Sequence, residues 1–254
     1  MKKRFHIVVT LLVFSGMALF AGNVFAGNIT EETVSFQSGA DTVSAFIARP
    51  KGDGPYPALI VIHEWWGLNE WVMENSREFA EKGYVALALD LYRGKVADDP
   101  DFAHELSRAL PQDRALQDMM AAIDYLRRQP FVSDNKIGSI GWCMGGGYSL
   151  QLALNADTSA TVIAYGRLVT DTEELDKIGS PVLGIFGDMD RGIPVEDVRK
   201  FEKALNMQGK LNDINVYQGV GHAFMNPNNS RGYDAAAAKM AWAKIYGFLD
   251  DTLK

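Results

Sequence analysis

Along almost its whole length the chain alternates continuous runs of valine, isoleucine and leucine with segments of helical periodicity, and that alternation leaves few folds open. Residues 57–63 (PALIVIH) form an unbroken apolar run, as strands buried on both faces do. Residues 84–89, 136–141, 160–165, 182–186 and 213–217 read as further strands. Between them lie helical segments at 70–82, closed by Gly83, and at 145–154, 195–208 and 234–253. In 114–129, Leu116, Met119, Met120, Ile123 and Leu126 recur at helical spacing. Residues 33–38 and 43–48 read as an opening antiparallel pair around the turn Gly39-Ala40-Asp41. The stretch 94–112 reads as a short helical excursion over the site. The pattern predicts an α/β fold, with a mostly parallel sheet covered by helices on both faces. The 254 residues, 47% of them hydrophobic, suffice for one core, so residues 27–254 are expected to form a single domain.

The first 26 residues are read apart from that fold. Lys2, Lys3 and Arg4 form a positive head, an apolar run extends over 7–20, and Val24-Phe25-Ala26 places small residues where a signal peptidase reads them. The apolar run is short for a bilayer span, which needs about 20 residues. The expectation is a signal peptide cleaved after Ala26 and a periplasmic or secreted protein, free of the membrane after cleavage and acting as a monomer. The net charge of −7 argues against nucleic acid or an anionic membrane as partner.

Cys143 is the only cysteine, so it has no intramolecular disulfide partner. A lone cysteine is a buried small hydrophobe or a working thiol; its neighbours decide. Gly141-Trp142-Cys143-Met144-Gly145 follows an apolar strand and opens a helix, the context of a nucleophile elbow. Glycines two residues to either side relieve a turn that side chains would block, and the N–H of Met144 points at the position of a developing oxyanion.

Helper residues are sought after later strands, because open α/β sheets present their sites at the strands' carboxyl ends. Asp188 and Asp190 follow the strand at 182–186, and His222 follows the strand at 213–217. The chain order nucleophile, acid, base is that of α/β-hydrolases. His222 is suited to act as base, and Asp190 to orient it. Asp188, nearer its strand, reads as a turn cap. Among other histidines, His63 is assigned to the wrong strand end and His104 to the excursion. Asp90 is read as structural.

The stretches HEWWGLN around Glu64, GYVALALDLY ending at Tyr92, IGSIGWCMGGG around Cys143, GDMDRGIP around Asp190 and YQGVGHAF around His222 together resemble the dienelactone hydrolase family. The resemblance covers nearly all of the chain after residue 26. It implies a Cys143–His222–Asp190 triad, a carboxylate at Glu64 that partners the resting thiol, and a second oxyanion N–H from Trp65. It also implies arginines that hold a substrate carboxylate. Arg93, directly after Tyr92, is the candidate for one, and Tyr92 and Arg93 are taken as substrate-binding. At the place of the other the chain reads Met225-Asn226, and Arg231 lies farther along. That departure, with export, argues against a dienelactone of the chlorocatechol route. Trp65 is read as a pocket wall; Trp66 and Trp71 are left open.

These readings converge on a hydrolase of small esters or lactones that works without a metal or other cofactor. The competing readings are a general carboxylesterase or thioesterase of the same fold and, in another class, a thiol-based redox or binding protein. A redox role would want a resolving cysteine, which the sequence lacks.

Overall fold

In the computed structural model, described from Gly27 to Lys254, the apolar runs are continuous because the sheet is covered on both sides. The eight strands are β1 (Ile29–Ser38), β2 (Asp41–Pro50), β3 (Tyr56–Ile62), β4 (Val85–Leu89), β5 (Val132–Trp142), β6 (Ala160–Ala164), β7 (Val182–Gly187) and β8 (Asn212–Tyr217). They lie in the order β1-β2-β4-β3-β5-β6-β7-β8. β2 pairs antiparallel with both β1 and β4, and every pairing from β4 to β8 is parallel. The opening pair runs longer at both ends than the sequence pattern indicates. The signal segment expected at residues 1–26 lies outside the described residues.

The helices are α1 (Glu70–Glu81), α2 (Pro100–Ala109), α3 (Gln112–Arg127), α4 (Met144–Asn155), α5 (Thr172–Leu175), α6 (Val195–Met207) and α7 (Ala235–Leu253). Alternate strand residues enter different cores: Leu59, Val61, Ala86 and Ala88 pack toward α1 and α7, while Ile60, Ile62, Leu87 and Leu89 pack toward α2 and α3. A third cluster joins Leu150 and Leu154 of α4 to Val198, Phe201 and Leu205 of α6. Two of the helices were hard to read from sequence. α2 fills the excursion as a ten-residue helix, with Asp99 capping its first turn and Pro100 opening it. α5 is a single turn capped by Asp171, too short to carry a periodic signal. Among the described residues no helix is long and apolar enough to cross a membrane.

Candidate active site

The carboxyl ends of β3, β5, β7 and β8 bring the chemistry-bearing side chains together. β5 ends at Trp142, and Cys143 then turns with φ 55 and ψ −117 before α4 begins. A non-glycine residue in such a conformation carries strain of about 1–3 kcal/mol. Its neighbours show why the turn needs glycine. A Cβ on Gly141 would lie 2.1 Å from the Gly145 carbonyl oxygen, and one on Gly145 would lie 2.2 Å from that of Ile62. The turn is held by Cys143 N–H donating to Ala164 O at 3.0 Å and by Gly146 N–H donating to Cys143 O at 3.1 Å. Among the described residues, neither the Met144 nor the Trp65 N–H donates to a protein acceptor, and Met144 opens a helix, whose first N–H groups lack intrahelical partners.

The loop after β7 places Asp190, 4% exposed. Its Oδ1 accepts from Gly192 N–H at 2.8 Å and Ile193 N–H at 3.2 Å, and its Oδ2 lies 2.7 Å from His222 Nδ1. Burial alone would raise the Asp190 pKa; His222 and the two backbone donors outweigh it and hold the carboxyl below its usual value. Asp188 does something else: its Oδ1 accepts from Gly219 N–H at 2.6 Å, the turn-capping role expected of it. His222, in the loop after β8, lines the same cleft as Cys143. Burial acts to lower the pKa of its ring, but Asp190 and Cys143 on its two sides push it up to about 10. The ring thus stands against a fixed carboxylate, on the same cleft as the thiol.

Glu64, just beyond β3, is 2% exposed. Its Oε2 accepts from Asn226 Nδ2 at 2.6 Å, and its Oε1 has no partner among the described residues. Burial pushes its pKa up to about 7, against the lowering effects of Asn226 and His222. The thiol contact expected of Glu64 is therefore replaced by an amide contact. Tyr165, just after β6, has φ 39, is fully buried and, among the described residues, leaves its hydroxyl without a partner. Its ring stands edge-on to His222, with centroids 5.3 Å apart. Burial, with Glu64 and Cys143 adding, drives the phenol pKa well above its usual value, so Tyr165 remains a donor.

A cleft of about 810 Å³ opens over these groups. Its apolar wall is Trp65, Trp66, Ala97 and Pro100; its polar wall is Asn226, Asn228, Asn229, Ser230 and Arg231. Trp65 is a pocket wall as expected, and Trp66 joins it. Trp71 instead packs in the core against Trp142, 5.1 Å between centroids.

Three sequence assignments are corrected. Arg93 is not on the cleft wall; its guanidinium grips the fully buried Asp118 carboxylate at 2.8 and 2.9 Å, on the far side of a turn where Arg93 itself has φ 56. Tyr92 lies behind the nucleophile turn, its hydroxyl donating to Met144 Sδ at 3.2 Å, and does not line the cleft. His63 sits at the carboxyl end of β3, the correct end, yet it is fully buried: Nε2 accepts from Leu91 N–H at 3.3 Å, Nδ1 lies 2.5 Å from Glu64 O, and desolvation lowers its pKa. His104 rides on α2 with its ring edge-on to Trp65. Asp90 is structural as read, accepting from Tyr92 N–H at 3.1 Å and from Gly94 N–H. Asn226 and Arg231, which the sequence reading names only where it looks for a second arginine and gives no role, lie in the loop beyond β8 and line the cleft. The carboxyl-end rule that singled out His222 extends to them.

An eight-stranded, mostly parallel sheet with helices on both faces and a thiol at the strand–helix elbow defines an α/β-hydrolase. Residues 43–253 match the dienelactone hydrolase family, and the chain belongs to that family. It is 33% identical over 231 residues to Protein usf of Aquifex pyrophilus, across 87% of this chain and 99% of that one. It is 30% identical over 264 residues to a candidate carboxymethylenebutenolidase of Saccharolobus solfataricus, covering 86% and 98% of the two chains. The crystal structure of a candidate dienelactone hydrolase from Klebsiella pneumoniae superimposes with a TM-score of 0.79 at 28% identity, over 87% of this chain and 98% of that one. The protein is thus a hydrolase of the lactone or ester type.

Proposed function

We propose that the protein cleaves a small carboxylic ester or lactone through a thioester intermediate on Cys143. The observation that carries this reading is the 2.7 Å contact of Asp190 Oδ2 with His222 Nδ1, with that ring and the elbow thiol lining one cleft. The Cys143 sulfur attacks the carbonyl carbon as its proton passes to His222, and the carbonyl oxygen becomes an oxyanion held by the Met144 and Trp65 N–H groups. The intermediate collapses as His222 gives its proton to the leaving alkoxide. In a lactone the resulting hydroxyl stays on the acyl chain. Water then attacks the thioester, losing a proton to His222, and the acid departs with the thiol restored. A panel of neutral and acidic esters and lactones, with intact-mass detection of the acyl adduct at Cys143, tests this; turnover of none of them would remove the reading.

The two walls of the cleft support a substrate with a flat apolar part against Trp65 and Trp66 and a polar or anionic part toward Arg231. A solvent-exposed charge contact is worth up to about 1 kcal/mol, so Arg231→Ala is expected to raise KM about fivefold for a carboxylate-bearing ester and to leave a neutral ester unaffected. Arg93→Ala should leave both KM values alone. Stripping Asp118 of its cation should instead cost about 3 kcal/mol of stability, read by thermal or urea melting. A KM effect confined to Arg93→Ala would reverse the assignment.

The charged head, apolar run and Ala26 junction support export with cleavage before Gly27. Intact mass of the protein recovered from the periplasm is expected to correspond to a chain starting at Gly27. A mass that retains Met1–Ala26 excludes cleavage.

A further inference from the structure

The elbow has a second side. Cys143 lines the cleft described above, whereas the next residue, Met144, lines a separate groove of about 700 Å³, walled by α3, α4 and the loop after β6. The two hollows have no lining residue in common. Met144 is held at this wall by Tyr92, whose hydroxyl donates to Met144 Sδ at 3.2 Å.

The groove is made by a close approach of backbones. Gly166, just after β6, rests on α4 so tightly that a Cβ there would lie 2.3 Å from Gly146 C and 2.4 Å from Gly147 N. The loop is thereby laid on the first turn of α4, and the following residue, Arg167, is set on the groove wall. Arg167 is exposed and forms no ion pair among the described residues. A guanidinium without a counter-ion is open to a ligand's carboxylate, which it takes through two parallel N–H groups. The acid on the same wall, Asp113, is already engaged, its Oδ1 accepting the Arg114 N–H at 2.8 Å at the start of α3. Leu116, Met144 and the half-buried Tyr148 add apolar surface. Burial raises the Tyr148 phenol pKa against the lowering effect of the Arg114 charge, so the ring brings no negative charge near neutrality.

We propose that this groove is a second ligand site, which takes a small amphipathic carboxylate with its anion on Arg167 and its apolar body against Tyr148, Leu116 and Met144. Its volume falls in the range usual for small-molecule sites, about 300–1,000 Å³. Carboxylates are the class of product that ester or lactone hydrolysis releases, so the site answers to what the enzyme makes. Met144 opens α4 with the N–H assigned to the oxyanion and lines the groove with its side chain, so occupancy acts on kcat. That kinetic consequence rests on the hydrolytic route proposed above; the binding does not.

Naphthoate is the probe and neutral naphthamide its control. The protein is isotope-labelled in its methionine methyl groups, and the Met144 resonance, assigned with Met144→Leu, is followed by NMR as each compound is added. Naphthoate is expected to shift that resonance saturably. Its Kd should rise about fivefold in Arg167→Ala, as loss of an exposed charge contact allows, and further in Arg167→Glu, whereas naphthamide should bind wild type and Arg167→Ala alike. In ester assays naphthoate should lower kcat with KM unchanged, and Arg167→Ala, with the basal turnover of wild type, should need more of it. A Met144 resonance that naphthoate does not move, or equal affinity in wild type and both Arg167 variants, overturns the proposal. So does simple competition with ester that Arg231→Ala relieves and Arg167→Ala does not, which would place the carboxylate in the catalytic cleft. Saturation of the groove with kcat unaltered overturns the coupling through Met144. If the protein turns over no ester, the hydrolytic reading falls, and the Met144 resonance still decides the site.

Discussion

Cys143→Ala is expected to abolish ester turnover and leave the fold intact. The side chain is only partly buried, so its truncation opens little cavity and the melting temperature should stay within a few degrees of wild type. Activity should fall by several orders of magnitude. On the proposed route the variant lacks its nucleophile, so only substrate binding and the oxyanion donors remain, and in a comparable triad such residues retain on the order of 10³–10⁴-fold over the uncatalysed reaction. The alanine variant should also show no acyl adduct by intact mass after mixing with substrate. Turnover within tenfold of wild type would exclude a covalent route through sulfur and leave Glu64 or His222 as direct activators of water.

What could be read from the sequence was what local chemistry fixes. The runs at 57–63 and 84–89 had to be central strands, since no face of theirs is polar, and they became β3 and β4, paired in parallel. The elbow was legible because steric demand is written into it: no residue but glycine fits at 141 or 145 against the Gly145 and Ile62 carbonyls. Asp188 and Asp190 could be told apart because one stands nearer its strand and the other where the loop can reach His222. The failures share a different cause. Arg93 looked available to a substrate, but which way its side chain leaves a turn depends on φ at that residue and on Asp118, some distance along the chain in α3. His63, the last residue of the run 57–63, stands at the carboxyl end that this run itself implies; what no local pattern marks is its burial and its bond from Leu91 N–H, which arises only when β3 and β4 are side by side. Asn226 and Glu64 are 162 residues apart, and no local pattern marks an asparagine that will meet a buried carboxylate. Tyr165 carries no sequence signal for its positive φ or its orphaned hydroxyl.

Asp190→Asn should lose far more activity than Asp188→Asn. The reason lies in what each carboxylate does for a neighbour. Asp190 accepts the Nδ1–H of His222 at 2.7 Å, which leaves the other ring nitrogen to act as acceptor for the thiol proton on the proposed route. Asparagine can turn its NH₂ toward Nδ1, stabilise the opposite tautomer, and present an N–H to the thiol in place of a lone pair. It also removes the negative charge that balances the imidazolium, so the pKa of His222, held near 10 by Asp190 and Cys143 together, should fall. In a comparable triad this substitution costs on the order of 10⁴ in kcat. Asp188 accepts only the Gly219 N–H, and an asparagine carbonyl can accept the same bond. Its loss of charge should therefore move stability by about 1 kcal/mol or less and kcat by less than tenfold. Steady-state kinetics of the two variants, with melting curves to separate fold from chemistry, give the comparison. Equal losses would mean the β7–β8 loops act as one structural unit, and a larger loss for Asp188→Asn would transfer the orienting role to that residue.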